Sequence, residues 1–142
     1  MPRIIVKGFA ATPRNGKAVE INALWYNALM IMSELTKKYL KLGKRIESKK
    51  YQELALKCKE SFEKEFYNPK RKCLYDVVGD KKIRPNQLFA LSLSYPVIDP
   101  TSEIAENMIN TVEKKLLTPY GLRTLAKCEK EYIDVYEGDS FK

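Results

Sequence analysis

Histidine is absent from this 142-residue chain. That absence excludes a histidine general base, a Ser-His-Asp triad and any zinc site built on imidazole. Cysteine is sparse: Cys58, Cys73 and Cys128 are odd in number, far apart and without CxxC spacing. They form neither a disulfide framework nor a thiolate cage, so the chain reads as metal-free and cytoplasmic. No run of about 18 apolar residues occurs, which excludes a transmembrane helix and so a membrane partner. The apolar core of Met1–Gly8 is too short for a secretory signal. Glycine-rich phosphate loops, arginine-rich runs and nucleic-acid reader motifs are all missing. The net charge is nevertheless +8, from 26 basic and 18 acidic side chains. Its lysines alternate with glutamates, as in Lys57-Cys58-Lys59-Glu60 and Glu63-Lys64-Glu65. That pattern suits a solvated surface and disfavours nucleic acid as the partner.

What is present is helical periodicity in a chain of single-domain length. A loop punctuated by Gly8, Thr12-Pro13 and Asn15-Gly16 fills residues 1–18, with one short strand expected through Ile4-Ile5-Val6. The first helix is expected from Val19 to Leu42, stopped by Gly43. Ile21, Leu24, Ala28, Ile31, Leu35, Tyr39 and Leu42 recur at helical spacing, and the first half is apolar nearly all round. It should be buried by more than one neighbour. The second helix, Ile46 to Tyr67, carries one stripe (Tyr51, Leu54, Ala55, Cys58, Phe62, Phe66) opposite a lysine-glutamate face. A strand follows at Leu74–Val78. A short uncharged third helix, Leu88–Leu93, reads as buried behind Arg84-Pro85-Asn86-Gln87. The fourth helix starts at Glu103, with Ile104, Met108, Ile109, Val112 and Leu116 inward. The order is thus a hairpin over 19–67, a second over 84–116, and a loop and tail over 117–142. Alternating inner and outer helices suggest an all-α fold, part of an α/α toroid.

The chemistry-bearing residues cluster before the buried helices. Glu20 and Asn27 share one face of the first helix, Asn22 and Tyr26 an adjacent one, with Trp25 beside them. Aromatic faces stack on sugar rings, and carboxylates and amides bond to hydroxyls. A neutral polyhydroxylated ligand fits this set. A buried helix start whose polar groups satisfy nearby backbone fits it as well.

Thr12-Pro13-Arg14-Asn15-Gly16-Lys17-Ala18-Val19-Glu20-Ile21-Asn22-Ala23-Leu24-Trp25-Tyr26-Asn27-Ala28-Leu29 resembles the signature of the glucosidase domain of glycogen-debranching enzymes, the amylo-α-1,6-glucosidase family. Arg84-Pro85-Asn86-Gln87 and Leu117-Thr118-Pro119-Tyr120-Gly121-Leu122-Arg123-Thr124-Leu125 are similar to its next two motifs, in order. The resemblance implies an (α/α)6 barrel that removes the α-1,6-linked glucose at a glycogen branch with inversion, without a cofactor. It implies Glu20, Asn22, Trp25, Tyr26, Arg84, Asn86, Gln87, Tyr120 and Arg123 as substrate-binding residues and α-glucan as the partner.

The family's general acid is an aspartate in a Trp-Met-Asp-Ala segment, which falls near Arg3 here, and no acidic residue precedes Glu20. Its general base is a glutamate expected beyond Lys142. An inverting glycosidase needs both carboxyl groups, roughly 6.5–9.5 Å apart. The expectation is therefore a chain with no catalytic residue, in which Glu20 binds a sugar hydroxyl. Two hairpins do not close a ring, so a companion chain or self-association should cover the apolar faces. A non-catalytic carbohydrate-binding or regulatory module and a basic helical protein that binds nucleic acid or acidic partners are the competing readings. On the barrel reading Glu20, Asn22 and Trp25 meet Arg84, Asn86 and Gln87 at one mouth.

Overall fold

The computed structural model describes residues 5–6, 9–10, 14–39 and 45–135. Helices dominate it: α1 (Val19–Tyr39), α2 (Arg45–Phe66), a 3-10 turn (Pro85–Leu88) running into the single turn α3 (Phe89–Ser92), and α4 (Glu103–Leu116). Three two-residue antiparallel ribbons punctuate them: β1–β2 (Ile5–Val6 and Phe9–Ala10), β3–β4 (Tyr67–Asn68 and Cys73–Leu74) and β5–β6 (Leu117–Thr118 and Gly121–Leu122). The expected first strand is therefore β1, with Ile4 outside the described residues. The expected Leu42–Gly43 helix stop also lies outside them.

α1 begins where the incoming loop crosses the segment after β4, which holds a single bridge at Val77 in place of the expected Leu74–Val78 strand. Val19 N donates to the Asp76 carbonyl at 3.0 Å, and Val78 N donates to the Lys17 carbonyl at 3.1 Å. Gly16 sits at φ +111°, and a Cβ there would lie 3.2 Å from Val77 Cγ1. The positive φ favours glycine at that crossing, and a side chain there would press on Val77. Glu20 in the first turn and Lys37 and Lys38 in the last match the helix dipole.

α1 and α2 pack as an antiparallel pair. Ser33 and Ser48 let the backbones approach, because each hydroxyl finds a partner: Ser48 Oγ donates to the Ser33 carbonyl at 3.0 Å, and the two oxygens lie 3.1 Å apart. The α2 stripe performs largely as its spacing predicts, with Ala55, Phe62 and Phe66 buried and the two phenyl rings stacked at 4.6 Å. Leu54 is the exception, and faces out.

On α1 the structure overturns the expected burial. The face against the core is Val19, Ala23, Tyr26 and Leu29, continued by Ser33 and Thr36. The stronger apolar stripe, Ile21, Leu24, Ile31, Leu35 and Tyr39, faces outward, each residue between 38 and 68% exposed. Helical spacing identifies both stripes, but it does not say which one the chain covers with its own residues.

The second half also departs from a simple hairpin. The Leu88–Leu93 segment is not a buried helix. Pro85 starts a 3-10 turn, one α-turn follows, and only Ala90 is fully covered while Phe89 is exposed. This short unit lies on α1, whereas α4 packs on β4 and the 3-10 turn. α4 is capped by Ser102, whose hydroxyl accepts from Ala105 N at 3.2 Å. It buries Ala105, Met108, Val112 and Leu116 and leaves Ile109 outside.

No described helix is long and apolar enough to cross a membrane.

Candidate functional site

Arg14 stands just ahead of α1 and reaches two carboxylates at once. Its Nη1 and Nη2 donate to Glu20 Oε1 and Oε2 at 2.6 and 2.7 Å. Its Nε donates to Asp76 Oδ2 at 2.7 Å, and Nη2 also meets Asp76 Oδ1 at 3.1 Å. Asn86 Nδ2 donates to Asp76 Oδ1 at 2.8 Å from the far side. Arg84 Nε sits 3.7 Å from Asp76 Oδ2, an ion pair without a hydrogen bond. Asp76, 2% exposed, is thus the hub where the first two motifs meet.

The elements explain this convergence. The β4 strand and the Ala18–Val77 bridge fix Asp76 beside the start of α1. Pro85 at the first position of the 3-10 turn directs Asn86 back onto the same carboxylate. Gln87 fixes that turn from behind: its Oε1 accepts from Leu74 N at 3.0 Å and its Nε2 donates to the Arg84 carbonyl. The third motif touches the cluster through backbone, because Arg84 Nη1 donates to the Thr124 carbonyl at 3.3 Å.

Electrostatics follow from these contacts. Burial raises the Glu20 carboxyl, but the Arg14 hydrogen bonds outweigh that in company with backbone and charge. The net shift is downward. Arg14 is held protonated beyond its already high value, first by its bond to Glu20. Glu20 is therefore an anion with both oxygens engaged, suited to accepting from a hydroxyl and unsuited to donating a proton. Asp76 has its lone pairs directed at Arg14 and Asn86, so it anchors donors rather than receiving a substrate proton.

Not every residue expected at the mouth lies there. Glu20, Arg84 and Asn86 join through Arg14 and Asp76, with Gln87 buried behind them. Asn22 and Trp25 instead line a groove of about 340 Å³ between α1 and α2, with Lys17, Lys57 and Glu65. Trp25 follows Glu20 by five residues, about 140° around the helix, which puts the two on different faces. The indole is 57% exposed, on the edge of the outward apolar stripe. Asn22 donates to the Ala18 carbonyl, and Tyr26 is buried against α2. Tyr120, at the tip of the β5–β6 turn, is fully exposed, and Arg123 bonds to the Leu117 carbonyl. Arg14 and Asp76 are the cluster residues that sequence reading passed over. Asp76 did leave a signal: it is a lone carboxylate inside the apolar run Leu74-Tyr75-Asp76-Val77-Val78.

Among the described residues, no group of histidine, cysteine, aspartate or glutamate is arranged to hold a metal ion.

Comparison with known proteins agrees with the family resemblance. The chain is 28% identical to a glycogen debranching enzyme of Saccharomyces cerevisiae over 91% of its own length, and it spans about a tenth (10%) of that protein. The family model described as amylo-alpha-1,6-glucosidase matches residues 3–142, so this chain belongs to that family.

Proposed function

We propose that this chain forms part of the glucan-binding wall of a glycogen-debranching amylo-α-1,6-glucosidase and supplies neither the general acid nor the general base. The observation that carries the reading is the meeting of two family motifs on Asp76, where Arg14 and Glu20 approach from one and Arg84 and Asn86 from the other. Such a cluster presents fixed acceptors and donors to sugar hydroxyls. Arg84 Nε is buried 3.7 Å from Asp76 Oδ2 and makes no hydrogen bond there.

The proposed division of labour has Glu20, Arg84 and Asn86 at the mouth, and Trp25 offering a stacking face on the neighbouring groove beside Asn22. Tyr26 and Gln87 hold these in place, and Tyr120 and Arg123 extend the wall at the β5–β6 turn. Residues 1–142 act as one partial glucosidase-like domain, in which the α1 and α2 pair, the 84–116 unit and the β5–β6 turn carry the site residues. The outward stripe of α1 is covered by further helices of an (α/α)6 toroid, from a companion chain or from self-association, in the cytoplasm. That stripe supports the toroid because an inner barrel helix has neighbours on both sides.

Affinity electrophoresis through a gel holding branched limit dextrin tests the reading. Retarded migration, relieved by Asn86→Ala and insensitive to salt, is expected. The same preparation releases no glucose. Turnover that disappears in Glu20→Gln would overturn the assignment of Glu20 as a binding group, and unretarded migration would overturn the wall itself.

A further inference from the structure

A second hollow, of about 430 Å³, opens between the β3–β4 turn and α4 and shares no residue with the Arg14–Asp76 cluster. Lys70, Arg71 and Lys72 line it from the turn, Lys114 and Lys115 from α4, and neither a carboxylate nor an aromatic ring is among its lining residues. We propose that this hollow binds the phosphate group of a small phosphate monoester, such as a phosphorylated sugar.

Charge is the first argument. The chain has acidic side chains to pair with, and elsewhere it uses them: Lys17 with Glu65, Lys82 with Glu131, Lys127 with Asp134. Arg71 itself is held by Glu129 at 2.8 Å. Lys70, Lys72, Lys114 and Lys115 have no ion-pair partner among the described residues. Four unpaired ammonium groups around one hollow repel each other, and a bound dianion relieves that repulsion. Asn110 adds an amide donor on the same face of α4.

Backbone conformation is the second and independent argument. Lys72 is the one non-glycine residue with positive φ among those described, at φ +53°. A glycine or asparagine suits that turn position better, because a Cβ in the left-handed region is disfavoured. The turn is nonetheless fixed: Asn68 Oδ1 accepts from Arg71 N at 3.2 Å, and Thr111 Oγ1 donates to the Lys72 carbonyl at 3.0 Å. The left-handed backbone at Lys72 thus turns the chain sharply at the rim of the hollow, with Lys70, Arg71 and Lys72 all among its lining residues.

The size and lining select the ligand. A few hundred cubic ångströms accommodates a small molecule. Single-stranded nucleic acid needs aromatic platforms for its bases, and this lining offers none. Lysines serve as point charges for a phosphate, with little demand on geometry.

Calorimetric titration at constant ionic strength, with inorganic phosphate, a hexose monophosphate and the unphosphorylated hexose, tests the proposal. Both phosphates should bind and the hexose should not. Tighter binding of the monoester means the sugar is contacted, and equal binding means the phosphate alone is read. Either result supports the site. Lys114→Ala should weaken binding by roughly tenfold, the loss of one charge-assisted contact. Lys72→Gly should weaken it as well while holding or raising the thermal midpoint, because glycine removes the left-handed penalty. A merely structural Lys72 predicts no change in phosphate affinity. Phosphate binding that is unchanged in both variants, or no better than chloride, overturns the proposal. So does a short oligonucleotide that outcompetes the monoester at this hollow. The outcome is separable from the glucan reading, whose ligand is uncharged and whose residues lie elsewhere.

Discussion

Arg14 and Asp76 lie 62 positions apart in the chain and 2.7 Å apart at Nε and Oδ2. That contact closes the loop before α1 onto the segment after β4, and it does so with both partners largely withdrawn from water, at 22 and 1% side-chain exposure. Two arginines face this one carboxylate, so its removal leaves Arg84 without its ion-pair partner and Arg14 with Glu20 alone.

Asp76→Ala is accordingly expected to cost about 3 kcal/mol in urea unfolding, the scale for stripping one member from a buried ion network. Lys127→Ala, which breaks an exposed pair with Asp134, should leave stability essentially unchanged. Similar losses from the two substitutions would mean that the Arg14–Asp76 contact is an ordinary surface bridge.

The pH dependence follows from Glu20. Its folded carboxyl lies below the free value of 4.5, so its contribution is complete above that pH and is lost as pH falls through the folded value. The urea midpoint should therefore decline on acidification below about 4.5, and Glu20→Gln should flatten that decline while lowering the plateau. A slope identical in the wild type and Glu20→Gln would remove Glu20 from the acid-sensitive set.

Much of the fold was legible, and the misses have physical causes. The α1 and α2 segments followed from periodicity, and Pro85 correctly marked the start of a turn of helix. What periodicity did not give was the buried face of α1. The heavier stripe, Ile21 to Tyr39, reads as core in any scheme that weighs hydrophobicity, yet Ala23, Ser33 and Thr36 face inward. Close helix approach needs small residues, and paired hydroxyls satisfy themselves. The Asp76 cluster was half legible for a related reason. Glu20, Arg84 and Asn86 stand in recognisable motifs, whereas Arg14 and Asp76 gain meaning only when a bridge between Ala18 and Val77 brings their segments together. Trp25 went astray because neighbours in sequence point to different sides of a helix.

The outward stripe gives a third prediction. Sedimentation velocity should detect a dimer or larger assembly, and Leu24→Glu combined with Ile31→Lys should return it to monomer with helicity intact. A wild-type chain that stays a compact monomer at every accessible concentration contradicts coverage of that face by self-association.

Thiol reactivity gives a fourth. Cys73 is buried, and burial pushes its thiol up to about 11, whereas Cys128 is exposed. Iodoacetamide at neutral pH should label Cys128 within minutes and leave Cys73 unmodified until denaturant is added. Equal labelling of the two in the native protein would show that β4 is not held against α4.

The central claim is that the Asp76-centred cluster receives a glucan. Nuclear magnetic resonance reads it directly, through the side-chain amide of Asn86 and the Nε–H signals of Arg14 and Arg84 during titration with an α-1,6-branched oligosaccharide. Saturable shifts in those signals are predicted, weak in affinity, lost in Asn86→Ala and unaffected by inorganic phosphate. Signals that stay still while the sugar reaches tens of millimolar, or shifts confined to residues outside the cluster, would contradict it.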